Sequence, residues 1–298
     1  MQKLKPSKSW SKVYRHIIYV VPTFANPSGR TMTLSCRQSL IRLARKYDAL
    51  IISDDVYDFL QWPTSSSPQH VTKAVLPRLV DIDRTMEPVP GKEDFGHAMS
   101  NGSFSKISGP GIRTGWAEAS PRLAYGLSQC GSSRSGGAPS QLTATIVDEL
   151  LRSGALEEHI QKVLLPAYKR RHQIMLSAIK RELVPLGVKV EEGKVGQKDV
   201  FGGYFLWIQL PAQVDAEVVS EVCHQRENLI VAPGKMFEVA GDERIKFENS
   251  VRLCFSWEKE EVLDWGVTVL SRVVKDVIEG RLGRGDIKIS REDRDEFR

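Results

Sequence analysis

His16-Ile17-Ile18-Tyr19-Val20-Val21 is an apolar, β-rich run stopped by Pro22, and Ala49-Leu50-Ile51-Ile52 is a second, stopped by Ser53-Asp54-Asp55. Neither run alternates with polar residues, so both read as buried strands of a parallel sheet. Between them Leu34, Leu40, Ile41, Ala44 and Tyr47 recur at roughly helical spacing, and Thr33 or Ser35 can cap the start. The three pieces make a β-α-β unit. Its first turn carries Asn26-Pro27-Ser28-Gly29 and its second strand ends in acids. Polar groups therefore collect at the carboxyl ends of the strands, where open α/β sheets bind ligands.

Downstream, residues 63–95 hold Pro63, Ser65-Ser66-Ser67, Pro68, Pro77, Pro88 and Pro90, with little periodicity beyond a run from Val75 to Ile82. This stretch reads as a long surface loop. Ala98 to Phe104 resumes a strand-like course, a turn follows from Lys106 to Gly115, and Thr114 to Ala119 returns as a strand. Gly131 to Gly137 is a Ser/Gly-rich loop. From Ser140 to Leu183 the apolar residues Ile160, Val163, Leu164, Ala167, Ile174 and Ile179 keep a helical period, broken at Gly154 and Pro166. One or two long linking helices are expected there. Gly203 to Ile208 and Val251 to Phe255 read as strands of a smaller α+β domain, with helices at Ala216 to Arg226 and Lys259 to Ile278. The expected division is a basic extension over 1–13, a large domain over 14–165, a linker helix with a small domain over 166–278, and a charged tail over 279–298. The Arg284-Gly285-Asp286 triplet near the tail reads as a chance match to an adhesion motif.

The bulk composition excludes several classes. A chain of 298 residues that is 41% hydrophobic and 27% charged lies in the globular range. Its net charge of +5 is spread among mixed signs, so no basic stripe points to nucleic acid. Cys36, Cys130, Cys223 and Cys254 form no CxxC pair, which argues against a zinc site or a disulfide framework. No apolar run approaches the ~20 residues of a membrane span. A cytoplasmic setting is the expectation.

The chemistry concentrates in Gly102-Ser103-Phe104-Ser105-Lys106 and Gly109-Pro110-Gly111-Ile112-Arg113. Hydroxyls, a lysine, an arginine and bare backbone amides within a dozen residues suit a phosphate together with a nucleophilic amine. A lysine acts in this way only when its amine is partly deprotonated, through desolvation or a nearby cation. Taken alone, an SxxK segment is far more often a solvated turn than a site, and the glycines from Gly109 to Gly115 do not match a dinucleotide fingerprint.

In order and spacing, Asn26-Pro27-Ser28-Gly29, Asp54-Asp55-Val56-Tyr57, Ser103-Phe104-Ser105-Lys106, Pro110-Gly111-Ile112-Arg113-Thr114-Gly115-Trp116 and the late Arg252 resemble the class I/II aminotransferases. The similarity is greatest to the branch of 2-aminoadipate and kynurenine aminotransferases, and runs from about Tyr14 to Val273. It implies an α/β protein of fold type I with a mostly parallel sheet, a smaller C-terminal α+β domain, and pyridoxal 5'-phosphate (PLP) as cofactor. Lys106 would carry PLP as a Schiff base and shuttle the substrate proton. Asp54 would pair with the pyridine nitrogen, keeping the ring an electron sink. Asn26 and Tyr57 would bond the phenolic oxygen, Ser103, Ser105 and Arg113 the phosphate, and Arg252 the substrate α-carboxylate. Arg134 sits where related enzymes sometimes touch substrate or a second subunit. Gly203-Tyr204-Phe205 and Pro233 to Phe237 would line the substrate entrance. A homodimer acting on an amino acid and a 2-oxo acid is the implied assembly.

The likeness also departs from the family. Only 25 residues precede Asn26, whereas family members carry there an N-terminal arm, a helix terminus for the phosphate and an aromatic ring stacked on the cofactor. A partial sheet with two unprotected edges is therefore expected. Transamination is the leading activity. A PLP-dependent carbon–sulfur lyase working by β-elimination, or a catalytically impaired aminotransferase-like protein, are the alternatives.

Overall fold

The computed structural model describes residues 8–64, 75–87, 94–134, 140–191, 195 and 198–287. The chain forms two compact units, one from Met1–Ala25, Arg30–Leu165 and Lys194–Gly203, the other from Asn26–Gly29, Pro166–Gly193 and Tyr204–Arg298. Two segments thus depart from a simple division of the chain: the Asn26–Gly29 turn groups with the C-terminal unit, and Lys194–Gly203 returns to the first.

The first unit is built on a four-stranded sheet in the order β1 (His16–Val20), β2 (Ala49–Asp54), β4 (Ala98–Ser103), β5 (Gly115–Glu118). The first three strands are parallel and β5 pairs antiparallel with β4. β1 and β5 are its edges, and on β1 the side chains of Ile17 and Tyr19 are exposed. Strand parity sorts the residues. Ile51 and Ala98 join an apolar cluster with Ile41 and Ala44 of α1 (Leu34–Tyr47) and Leu79, Val80 and Ile82 of α2 (Leu79–Thr85), whereas Leu50 and Met99 pack with Ala119, Leu123 and Leu127. Leu123 and Leu127 belong to α3 (Pro121–Ser128).

Thr33 caps α1, its hydroxyl accepting from the Cys36 amide at 3.3 Å. The buried face of that helix is Arg37, Ile41 and Ala44, while Leu34 and Tyr47 of the expected stripe are exposed. Arg37 is only 1% exposed. It is tolerated because Nε donates to the Met32 carbonyl, Nη1 to the Pro77 carbonyl, and Nη2 to the Pro22 carbonyl and the Thr23 hydroxyl, all at 2.9–3.0 Å.

The expected long loop over 63–95 is corrected in part. Gln61–Pro63 forms β3, paired antiparallel with β7 (Val200–Gly202), and α2 follows within the stretch. α2 forms despite the prolines because Arg78 and Asp81 close its first turn, the Arg78 amide donating to Asp81 Oδ2 at 3.0 Å. Its apolar residues Leu79, Val80 and Ile82 are buried. Ser65 to Ser67, Pro68, Pro88 and Pro90 lie outside the described residues, as do 1–7 of the basic extension and 288–298 of the tail. The expected Ser/Gly loop begins instead with a short helix, α4 (Gly131–Arg134), and its residues 135–139 lie outside the described ones.

The linking region comprises α5 (Gln141–Arg152), α6 (Ala155–His159) and α7 (Leu165–Ala178). Gly154 breaks it at φ +74°, a backbone conformation that costs glycine nothing. Pro166 does not break it, because a π-helical turn, Ile160–Leu164, joins α6 directly to α7 and closes with the Leu165 amide on the Ile160 carbonyl just before the proline.

The second unit holds an antiparallel sheet in the order β6 (Lys189–Val190), β8 (Phe205–Gln209), β10 (Ser250–Cys254), β9 (Ala232–Pro233). Its core draws on Leu206, Ile208, Val251 and Leu253 of the strands. Val218, Val219 and Val222 of α8 (Ala216–Glu227) and Leu263, Val267, Leu270 and Val274 of α9 (Glu260–Ile278) are buried with them. Among the described residues no helix is long and apolar enough to cross a membrane.

Candidate active site

In the first unit, β2 ends on Asp54, whose register partner on β4 is Asn101. Asn101 Nδ2 donates to Asp54 Oδ1 at 3.1 Å, and the Tyr19 hydroxyl donates to Asp54 Oδ2 at 2.6 Å. Burial and this bond push the Tyr19 phenol up to about 12. The carboxylate is held in place on both oxygens, and each retains a lone pair for a further donor.

Past Asn101, β4 runs through Gly102 and Ser103 into a single 3-10 turn, Phe104–Lys106, so Lys106 stands just beyond the strand's carboxyl end. Ser103 Oγ accepts from the Ser105 amide at 3.1 Å, closing that turn. A second short 3-10 turn, Pro110–Ile112, leads to Arg113 at φ +51°. The bend brings Arg113 back over the first turn, with Nη1 3.5 Å from Ser105 Oγ and 3.1 Å from the Pro110 carbonyl. Ser140 Oγ donates to the Arg113 carbonyl at 2.5 Å, and the Thr114 and Thr143 hydroxyls share a bond at 2.9 Å, fastening the loop to the start of α5.

Gly102 and Gly115 are demanded by this packing. A Cβ at Gly102 would stand 2.1 Å from the Trp116 indole, and one at Gly115 would stand 2.5 Å from the Gly102 carbonyl oxygen. Tyr57 is buried, and a Cβ placed on Gly203 would sit 3.7 Å from its ring.

In the second unit, Arg252 Nη1 donates to Asn26 Oδ1 at 2.8 Å. The guanidinium carbon lies 4.2 Å from the Phe205 ring centroid and 4.8 Å from that of Phe237. Two aromatics expected at a substrate entrance thus stack on the arginine and fix its plane. Tyr204 lies against Tyr168, with ring centroids 5.2 Å apart. In the first unit, Arg134 Nη1 donates to Gln129 Oε1 at 2.7 Å.

Asp54, Tyr57, Ser103, Ser105, Lys106 and Arg113 therefore belong to the first unit, while Asn26 and Arg252 meet in the second. Tyr19, Asn101, Phe205 and Phe237 were missed as supports. Only the period-2 parity of neighbouring strands could have pointed to Asn101 and Tyr19.

The donor set fits PLP in chemical kind. Arg113 with two serine hydroxyls suits a phosphate dianion, a carboxylate suits a protonated pyridine nitrogen, and a primary amine suits an aldehyde. Among the described residues no cluster of His, Cys, Asp and Glu could hold a metal ion.

Residues 2–267 match the model of aminotransferase class I and II. An uncharacterised protein of Saccharomyces cerevisiae is 41% identical over 275 residues, 92% of this chain and 59% of its own length. The 2-aminoadipate transaminase of Thermus thermophilus is 29% identical over 263 residues, covering 88% of this chain and 58% of the relative. Among solved structures, the kynurenine aminotransferase of Pyrococcus horikoshii superposes with a TM-score of 0.68 at 27% identity, over 88% of this chain and 57% of that one. The chain thus spans somewhat over half the length of the proteins it matches. With the family model covering most of its length and the fold type I architecture shared with solved aminotransferases, this chain belongs to the class I and II aminotransferase family.

Proposed function

We propose that this chain carries the catalytic machinery of a PLP-dependent aminotransferase, moving an amino group from an α-amino acid to a 2-oxo acid. One observation carries the reading. Asp54 ends β2, and its hydrogen-bonded neighbour β4 delivers Ser103, Ser105 and Lys106 at the same end of the sheet, with Arg113 folded back onto Ser105.

PLP, when bound, supplies an electron sink for the pair left behind when the substrate α-proton departs. The remaining work falls to side chains. Arg113, Ser103 and Ser105 would hold the cofactor's phosphate and Asp54 would accept from the ring N–H, while the resemblance gives the phenolic oxygen to Tyr57 and Asn26. Lys106 Nζ would hold the cofactor aldehyde and, as a free amine, would serve as the base that moves the substrate α-proton. Arg252 holds the α-carboxylate through paired N–H groups, its plane set by Asn26, Phe205 and Phe237. The names of the Thermus and Pyrococcus relatives support substrates with long acidic or aromatic side chains. A homodimer and a cytoplasmic setting form part of the same proposal.

The test is spectroscopic first. Purified protein incubated with PLP should gain a visible band that borohydride removes and that Lys106→Ala lacks. Addition of 2-aminoadipate or kynurenine should then shift the band, and 2-oxoglutarate should restore it. A protein that stays colourless and transfers no amino group ends the proposal.

A further inference from the structure

Asp54 is the carboxylate set against the cofactor's ring nitrogen, and its surroundings come from three strands. β1 pairs in parallel with β2 so that Tyr19 lies opposite Ile52, and β2 pairs in parallel with β4 so that Asp54 lies opposite Asn101. Side chains alternate along a strand, so Tyr19, Ile52, Asp54 and Asn101 share one face of the sheet. Tyr19 stands one diagonal step short of Asp54, about 7 Å along the strand direction. A serine or threonine could not cover that distance. The phenol does, its hydroxyl donating to Asp54 Oδ2 at 2.6 Å while Asn101 Nδ2 donates to Oδ1 at 3.1 Å.

The backbone beneath Asp54 is already fixed, since the Asp55 amide donates to the Asn101 carbonyl at 3.0 Å and carries the ladder past the end of β2. The side-chain torsions of Asp54 are the freedom that remains, and a donor on each oxygen removes it. Tyr19 itself is 64% exposed on an edge strand, where its ring buries little apolar surface, so packing does not account for its size. Its hydroxyl does. Loss of water around that hydroxyl and its bond to Asp54 raise the phenol to about 12, which keeps it a donor throughout the range in which a protonated ring nitrogen would meet Asp54.

We infer that Tyr19 is a positioning residue for the cofactor ring: with Asn101 it fixes the plane of the Asp54 carboxylate, and so the direction of the bond that would hold the ring nitrogen. On the PLP reading above, on which this rests, the edge strand β1 thus takes part in holding the cofactor. An acceptor fixed before the cofactor arrives spares the ordering that binding would otherwise cost. A purely structural tyrosine would leave a different mark, because only a cofactor with a ring N–H can sense the plane of Asp54.

The test compares PLP with its 1-deaza analogue, in which a C–H replaces the ring nitrogen, by equilibrium binding to the purified chain and its variants. Tyr19→Phe should weaken PLP about three- to tenfold, the scale of one hydrogen bond, and leave the analogue within about twofold of the parent. Asn101→Ala, also at an exposed position, should repeat that pattern. In an Asp54→Ala background Tyr19→Phe should change neither affinity, since the group it positions is gone. Arg113→Lys should weaken both cofactors alike, because both carry the phosphate. Circular dichroism and the urea midpoint of Tyr19→Phe should match the parent's. A Tyr19→Phe protein that loses PLP and the analogue equally has lost structure rather than aim, and overturns the inference. So does one that binds both as the parent does. A parent that binds neither cofactor removes the PLP reading and this inference together, a failure distinct from the other two.

Discussion

Asp54 and Asp55 are adjacent at the end of β2 yet face opposite sides of the sheet. Asp54 is partly accessible and takes its bonds from Tyr19 and Asn101. Asp55 is buried, accepts from Ser53 at 2.7 Å and Ser100 at 2.5 Å, and stands beside Asp58. Burial raises Asp55 despite those two hydroxyls. It also raises Asp58, together with the negative charge of Asp55, to about 7, while Thr23, Arg37 and Arg78 pull the other way. One residue of parity thus separates a carboxylate ready to meet a ligand's N–H from a pair whose charge the fold resists.

The two faces should answer to different assays. The largest effect is expected on the Asp54 side, where Lys106→Ala should abolish the visible PLP band and lower turnover by about a thousandfold or more, with the urea midpoint unmoved. A Lys106→Ala protein that keeps both band and turnover would detach the chemistry from this end of the sheet.

On the other face, Arg37→Met should be the costliest change to stability, by about 3–5 kcal/mol in urea melts, because it strips four hydrogen bonds and leaves Asp55 and Asp58 without their nearby buried cation. An Arg37→Met protein as stable as the parent would show that the acid pair needs no such charge.

Asp58→Asn should move stability the other way. With a folded pKa near 7 against an unfolded value near 3.9, the folded state holds more protons than the unfolded one between those limits. Parent stability therefore falls as pH rises through that window. Asn removes the penalty, so the variant should gain about 2–4 kcal/mol at pH 8 and almost nothing at pH 4, read from paired denaturation curves. A gain equal at both pH values would assign it to packing instead.

The smallest effect sharpens the geometry joining the two faces. Gly102→Ala drives a methyl into Trp116 on the antiparallel partner β5 and should cost about 1–3 kcal/mol. Because Gly102 lies between Asn101 and the Lys106 turn, PLP affinity should weaken alongside stability. Unchanged PLP affinity in that variant would show the turn to be positioned independently of the strand.

Much of this was legible in the residues themselves. The apolar runs of β1 and β2, a cap at Thr33 or Ser35 and the Ser103 to Lys106 segment are legible there, because backbone propensity, capping and motif spacing act locally; the expected burial of β1 is not met, since it is an edge strand with Ile17 and Tyr19 exposed. α2 was hidden among prolines, since a seven-residue helix held by Arg78–Asp81 and by burial against α1 has too little period of its own to declare itself. Arg37 carries no signal in the sequence, since nothing nearby announces that the Pro22 and Pro77 carbonyls converge on it.

Sequence alone thus established the α/β class, the family and the residue types of the candidate site, all of which follow from local pattern and order along the chain. Tertiary structure alone decided which neighbour each residue would meet: Tyr19 and Asn101 at Asp54, and Phe205, Phe237 and Asn26 at Arg252. These contacts join residues as many as 226 positions apart, and their energies depend on burial and register, which only the packed chain specifies.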